Sequence, residues 1–320
     1  MADRVADWEA MAERLGEPVA EAGGEAFLRR VGDRHLAQFV PGGGRLLVTF
    51  EDGAAVERRA SGQPWARQLA AKRGYATLAV VSDGRTWFRD RALATFFDEL
   101  TDDGLFDEFD AATFAGTGPG AYAAAAYSVA SPGATVFAVQ PVATLERDLT
   151  PWEPRFRSAR ALDWGRYGYA PDMVEAAGRV WIVSDPRETF DAMHASLFRG
   201  PHVTHLRAPH AGSDVGARLE SVGILDKLVS GAEAGALTPL RFAQLWRGRR
   251  RDMGWLMGMM RRLDRLDRPW LTGLFARHVT QRHDSAAARR RLTAARMRLA
   301  AAGRELPADR DQPEAARAAS

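Results

Sequence analysis

The most informative stretch of the chain is Phe114-Ala115-Gly116-Thr117-Gly118-Pro119-Gly120-Ala121-Tyr122-Ala123. A short apolar run ends, a glycine-dense turn follows, and a run of small residues begins. This is the pattern of a strand turning sharply into a helix, with glycine wherever a side chain would crowd the turn. Two functional readings compete with a plain one. As a dinucleotide fingerprint, G-x-G-x-x-G/A, Gly116, Gly118 and Ala121 would bring a pyrophosphate to the helix N-terminus. As a nucleophile elbow, G-x-S-x-G, Gly116, Gly118 and Gly120 would frame a reactive side chain at the middle position. In the plain reading the glycines only let the helix pack closely on the sheet.

The flanking sequence supplies the sheet. Short apolar runs stand at 45–50, 76–81, 111–115, 134–139, 179–183 and 203–207. Between them lie helical patterns, such as Arg91–Glu99, Tyr122–Val129 and Ala217–Val229. Near-continuous apolar runs separated by helix-length segments indicate strands buried on both faces of a parallel sheet. The expectation is an α/β, doubly wound, mostly parallel sheet of about six strands with a C-terminal helical extension. Residues 5–39 read as one or two amphipathic helices, on the spacing of Trp8, Met11, Leu15 and then Ala26, Phe27, Val31, Leu36. The expected organisation is an N-terminal helical segment 1–40, the sheet domain 41–234, a basic helical extension 235–305 and a disordered tail 306–320.

On this frame the fingerprint reading weakens. The motif falls on the third expected strand, Gln140-Pro141 occupies the place of a ribose-binding acid, and Pro119 has no N–H for a phosphate. The elbow reading gains two partners. Asp185 ends the strand run 180–184, and His210 follows the run 203–207. Elbow, acid and histidine, each just past a strand end and in that order, resemble the α/β-hydrolase superfamily over about residues 40–230. The resemblance implies that Asp185 and His210 hold the acid and base positions of a catalytic triad.

The departures bear on function. The nucleophile position is Gly118, which has no side chain, and the next residue, whose N–H should donate to an oxyanion, is Pro119. Losing the nucleophile leaves only residual catalysis, and losing one oxyanion donor costs roughly 10²–10³ in rate. Thr117 is one residue out of place. The expectation is a divergent relative, a non-catalytic binding or scaffold protein. Its ligand pocket would involve Gly116, Thr117, Gly118 and Gly120, with Ser82 and Asp83 at the end of the second expected strand. The alternatives are a hydrolase or transferase with a relocated nucleophile, Ser82 or Ser184, and a nucleotide-binding transferase using the Gly-rich turn. No cofactor is implied.

Other features set limits. The chain has no cysteine, which removes disulfides, thiolate metal sites and thiol catalysis. His202 and His205, three apart in a strand, face opposite sides, so no metal is expected. Trp87-Phe88-Arg89-Asp90 could line a pocket or start a helix, and the aromatic loop 163–172 falls where the superfamily often carries a lid. No run reaches the ~18 apolar residues of a membrane span. The start, Met1–Glu9, lacks the form of a secretory signal. A cytoplasmic protein is expected.

The net charge of +3 conceals a division. Residues 1–237 hold 25 Lys and Arg against 33 acids, whereas 238–305 hold 17 Arg against 5 acids. Such a basic end could meet nucleic acid or an anionic membrane surface. The acidic body makes a protein partner or a second copy of the chain the favoured expectation, beside a small-molecule ligand for the pocket.

Overall fold

The computed structural model describes residues 8–16 and 25–308. Its centre is an eight-stranded sheet. The strands are β1 (Phe27–Val31), β2 (His35–Val40), β3 (Gly43–Asp52), β4 (Tyr75–Ser82), β5 (Ala111–Thr117), β6 (Thr135–Val139), β7 (Arg179–Ser184) and β8 (Val203–Arg207). Their order is β1-β2-β4-β3-β5-β6-β7-β8. β2 runs antiparallel to β1 and β4, and every pairing from β4 to β8 is parallel. All six strands expected from the apolar runs are present.

The expected N-terminal helices need correction. Trp8–Leu15 is a helix that buries Met11 and Leu15, but Phe27–Val31 and His35–Val40 form a hairpin turning at Gly32, φ +60°. The spacing of Phe27, Val31 and Leu36 comes from two strands rather than one helix face. Phe27 stacks on Phe39 across the hairpin, ring centres 5.4 Å apart, and β2 is buried along almost its whole length. The elbow strand is therefore the fifth of the chain, not the third. Likewise Ala217–Val229 is two helices, Val215–Ser221 and Leu225–Glu233, separated at Gly223, φ +72°.

The helix Pro119–Tyr127 lies in the core, with Gly120 and every residue after it buried. Its alanines are what allow this, because bulkier side chains would hold the helix off the sheet. Two glycines set the contact. A Cβ on Gly116 would stand 2.2 Å from the Gly120 carbonyl oxygen, and one on Gly120 would stand 2.1 Å from that of Phe50 on β3. Phe50 itself stacks against Phe97 and Tyr127, both at 5.6 Å.

The chain divides into two compact units after Trp246, so the helix Pro239–Trp246 belongs with the sheet rather than with the basic extension. The second unit holds the helices Met253–Arg265, Pro269–Arg282 and Ala286–Ala301. Of the tail expected to be disordered, residues 309–320 lie outside the described residues. Leu306 and Pro307 are placed: Arg277 donates to the Pro307 carbonyl at 2.5 Å, and Leu306 packs beside Gly273. No described helix is long and apolar enough to cross a membrane.

Two outcomes follow from these contacts. Gly116→Ala and Gly120→Ala should each cost roughly 3 kcal/mol or more, because the overlap is with backbone. Gly118→Ala, whose Cβ meets open space, should cost only the ~1–3 kcal/mol of a sparsely populated backbone region; urea denaturation compares the three. Buried His35 has its pKa lowered to about 4, chiefly by loss of hydration. The unfolded chain therefore binds the extra proton between pH 6.5 and 4. Stability is full above that window and should fall by about 3 kcal/mol as pH drops through it. A His35→Gln variant should lose that part of the slope in urea midpoints measured across the window.

Candidate functional site

β5 delivers the chain to Gly118 in an unusual conformation, φ 55° and ψ −121°. Only glycine adopts this region without strain, and in other residues such strain is found mainly at functional sites. The Gly118 amide donates to the Val139 carbonyl at 2.9 Å, and the amides of Ala121 and Tyr122 donate to the Gly118 carbonyl at 3.0 and 3.2 Å. The helix thus begins on Gly118, with Pro119 in its first turn. The turn has the backbone of a nucleophile elbow, and no atom stands within 4 Å of where a side chain at 118 would start.

Above the turn is a cleft of about 900 Å³, bordered by the C-terminal ends of β3, β4, β5 and β6. Gly116, Thr117, Gly118, Gly120 and Ser82 line it, while Asp83 does not. Ser82 donates to the Gly84 carbonyl at 3.0 Å, which makes it part of an ordinary turn. Trp87 and Phe88 form a wall, both at positive φ. Thr86, beside them, accepts from the Phe88 amide at 3.1 Å and lies 2.8 Å from Nε2 of His35. The other His35 nitrogen stands 3.9 Å from Asp90, beyond hydrogen-bond distance.

Asp185 and His210 follow β7 and β8, as the resemblance implies, but neither lines the cleft. Asp185 spends its two oxygens on backbone amides, those of Arg187 and Gly212, each at 3.0 Å. It thereby fixes the loop carrying His210, which itself has φ +64°. None of the seven histidines, all within the described residues, lines the cleft. Ser184 is buried and passes its carbonyl to Ala208. His202 and His205 bond to the separate carbonyls of Val174 and Phe198. The described residues hold no group of three or more His, Asp or Glu arranged for a metal ion.

Arg155, Gln140 and Glu51 make the main polar contributions to the cleft. Arg155 makes a two-pronged pair with fully buried Glu153, 2.9 and 2.6 Å, and bonds Asp191 at 2.6 Å. Its guanidinium also lies 4.9 and 5.2 Å from the rings of Phe156 and Phe190. Burial alone would raise the Glu153 pKa, but hydrogen bonds from His194 and Arg155 hold it at about 2. His194 Nδ1 accepts from the Ala143 amide, and burial lowers its own pKa. Gln140, at positive φ, donates to Asp191 at 2.6 Å and to the Ser213 carbonyl at 2.9 Å, and accepts from the Val215 amide at 3.0 Å. On the opposite side Glu51 pairs with Arg59 and accepts from the Trp65 amide at 2.7 Å, while burial raises its pKa.

The segment after β6 thus covers one side of the cleft and is pinned to the helix Thr189–Leu197 by the Arg155–Asp191 ion pair and the His194–Glu153 hydrogen bond. The aromatic loop 163–172 is anchored inward. Arg89 donates to the carbonyls of Asp163 and Arg166 at 2.8 and 2.7 Å, and Trp164 is buried.

No protein-family model matches the chain, and no curated protein does. Solved structures similar to it include Mycobacterium tuberculosis MPT51, at 15% identity over 66% of this chain and 100% of that one, TM-score 0.44. Brefeldin A esterase, a bacterial homologue of human hormone-sensitive lipase, is similar at 14% identity over 74% and 88%, TM-score 0.40. The capsule O-acetyltransferase of Neisseria meningitidis serogroup A is similar at 10% over 64% and 97%, TM-score 0.40. At such scores the sheet order and the elbow, rather than these likenesses, define the fold. The mostly parallel eight-stranded sheet, with β2 antiparallel near its edge and a sharp strand-to-helix turn after β5, is an α/β-hydrolase-like fold.

Proposed function

We propose that this chain is a cytoplasmic, non-catalytic binding protein of α/β-hydrolase fold that takes a small molecule in the cleft over Gly118. One observation carries the reading: the elbow backbone is retained, while the space its side chain would fill is empty. Pro119 gives no oxyanion donor, and no imidazole reaches the cleft wall. A nucleophile without a base beside it is not activated at neutral pH.

Thr86 and His35 come nearest to a relocated pair. The hydroxyl is held by the Phe88 amide, and the histidine, with a pKa of about 4, is too weak a base for catalysis near pH 7. Their contact is better suited to holding the strained turn at Trp87 and Phe88. Asp185, in this reading, braces a loop.

The purified chain should hydrolyse p-nitrophenyl acetate and butyrate no faster than buffer and should not be labelled by a fluorophosphonate. Turnover that disappears in Thr86→Val or Ser82→Ala would overturn the non-catalytic reading. For the binding half, compounds from a metabolite library that raise the melting temperature of the native chain should do so less with Gly118→Leu, which puts a bulky side chain into the floor of the cleft. Equal shifts in both proteins would place the ligand elsewhere.

A further inference from the structure

The cleft reaches past Gly118 to the other face of the sheet. Successive side chains of a strand alternate between faces. On β3, Val48 and Phe50 point towards the helix Pro119–Tyr127, in one cluster with Phe114, Ala121 and Tyr127. Thr49 and Glu51 therefore point the opposite way, and both line the cleft. In register with Thr49 stand Ala79 on β4 and Ala115 on β5, and Ala115 pairs in turn with Phe137 on β6. Thr49, Ala115 and Phe137 are the deepest residues of their strands to line the cleft, and Leu225 and Val229 of the helix Leu225–Glu233 line it too. The alanines on either side of Thr49 leave the sheet surface low at its hydroxyl.

That hydroxyl is the anomaly. Thr49 is 1% exposed, and its Oγ1 has no hydrogen-bond partner in the protein. Buried hydroxyls are bonded in the large majority of cases, because burying one alone forfeits its bonds to water. Glu51, two residues along on the same face, is already taken up by Arg59 and the Trp65 amide, and Trp65 Nε1 donates to Asp226 at 2.7 Å. The surroundings of Thr49 on this side, Ala115, Phe137, Leu225 and Val229, are apolar. A charged group brought here would lose its hydration against apolar walls, with the nearby carboxylate committed elsewhere. A neutral oxygen on an apolar stem keeps a partner, since a threonine hydroxyl both donates and accepts.

We propose that this arm of the cleft takes the uncharged, oxygen-bearing end of a slender apolar ligand, such as an alcohol or a ketone, with Thr49 as the hydrogen-bonding residue that selects it. The proposal rests on the reading of the cleft as a binding site. Hexanol, hexanoate and hexylamine present one stem with a neutral, an anionic and a cationic end, and NMR titration of the full chain measures all three. Hexanol should bind at least about tenfold more tightly than either charged probe. Thr49→Val keeps the shape of the side chain without its hydroxyl. It should weaken hexanol binding about 5- to 10-fold, whereas Thr49→Ser should leave it near the native value. Because the hydroxyl has no protein partner to lose, Thr49→Val should melt no lower than the native chain. A lower melting temperature would overturn the proposal, since the hydroxyl would then be bonded within the fold. So would absence of hexanol binding by the native chain, a charged probe bound as tightly as hexanol, or hexanol affinity unchanged by Thr49→Val. In each of those cases, library compounds whose effect depends on residue 118 would leave the cleft reading standing while this inference falls. No response to hexanol or to any library compound would overturn both.

Discussion

The near-collision of backbone at Gly116 and Gly120 is the constraint on which the rest of this structure depends. Because neither residue has a side chain, the helix Pro119–Tyr127 presses onto β3 and β5 close enough to be wholly buried. That depth explains the run of alanines, and it brings Tyr127 onto Phe50 and Phe97. The same closeness forces the chain to turn within Thr117-Gly118-Pro119, and it is this turn that opens the cleft. Packing and catalysis ask different things of the same five positions, and the glycines at 116 and 120 answer to packing.

The polar side of the cleft is built on a second principle, buried polar and ionic groups that satisfy one another. Glu153, Arg155, Asp191, His194 and Gln140 tie the segment after β6 to the helix Thr189–Leu197. Arrangements of this kind add little net stability over an apolar core, yet breaking one member leaves a buried charge uncompensated at a cost of several kcal/mol. Their effect here is positional: they fix the segment after β6 against the helix Thr189–Leu197.

β3 to β7 were legible because each is a near-continuous apolar run, which a sheet covered on both faces requires, whereas β8 lies at the sheet edge and buries only Leu206. The elbow was legible because glycines at positions one and five of the turn have a steric cause. β1 and β2 were not, since Phe27, Val31 and Leu36 fall at intervals that suit a helix face as well as two strands of a hairpin, and only the pairing of Phe27 with Phe39 separates the two. The candidate site was half legible. Gly116–Gly120 and Ser82 line the cleft, but Arg155, Asp191 and Gln140 meet only in the folded chain, from positions that carry no shared motif. In the second unit, charge was visible in the sequence and exposure was not. Leu266, Leu271 and Met297, all exposed, look like ordinary members of a helix core until the helices are placed.

The separation of elbow geometry from elbow chemistry can be tested at one atom. A Gly118→Ser variant puts a hydroxyl where the nucleophile of an active relative would stand, in space that nothing occupies. The decisive measurement is its rate of labelling by a fluorophosphonate, followed by intact mass, alongside its melting temperature. A folded variant that remains unlabelled over hours is the expected result, because no histidine lines the cleft to take the proton and Pro119 offers no amide to the developing negative charge. Rapid labelling would show that a base and an oxyanion donor survive at this turn, and would contradict the non-catalytic reading.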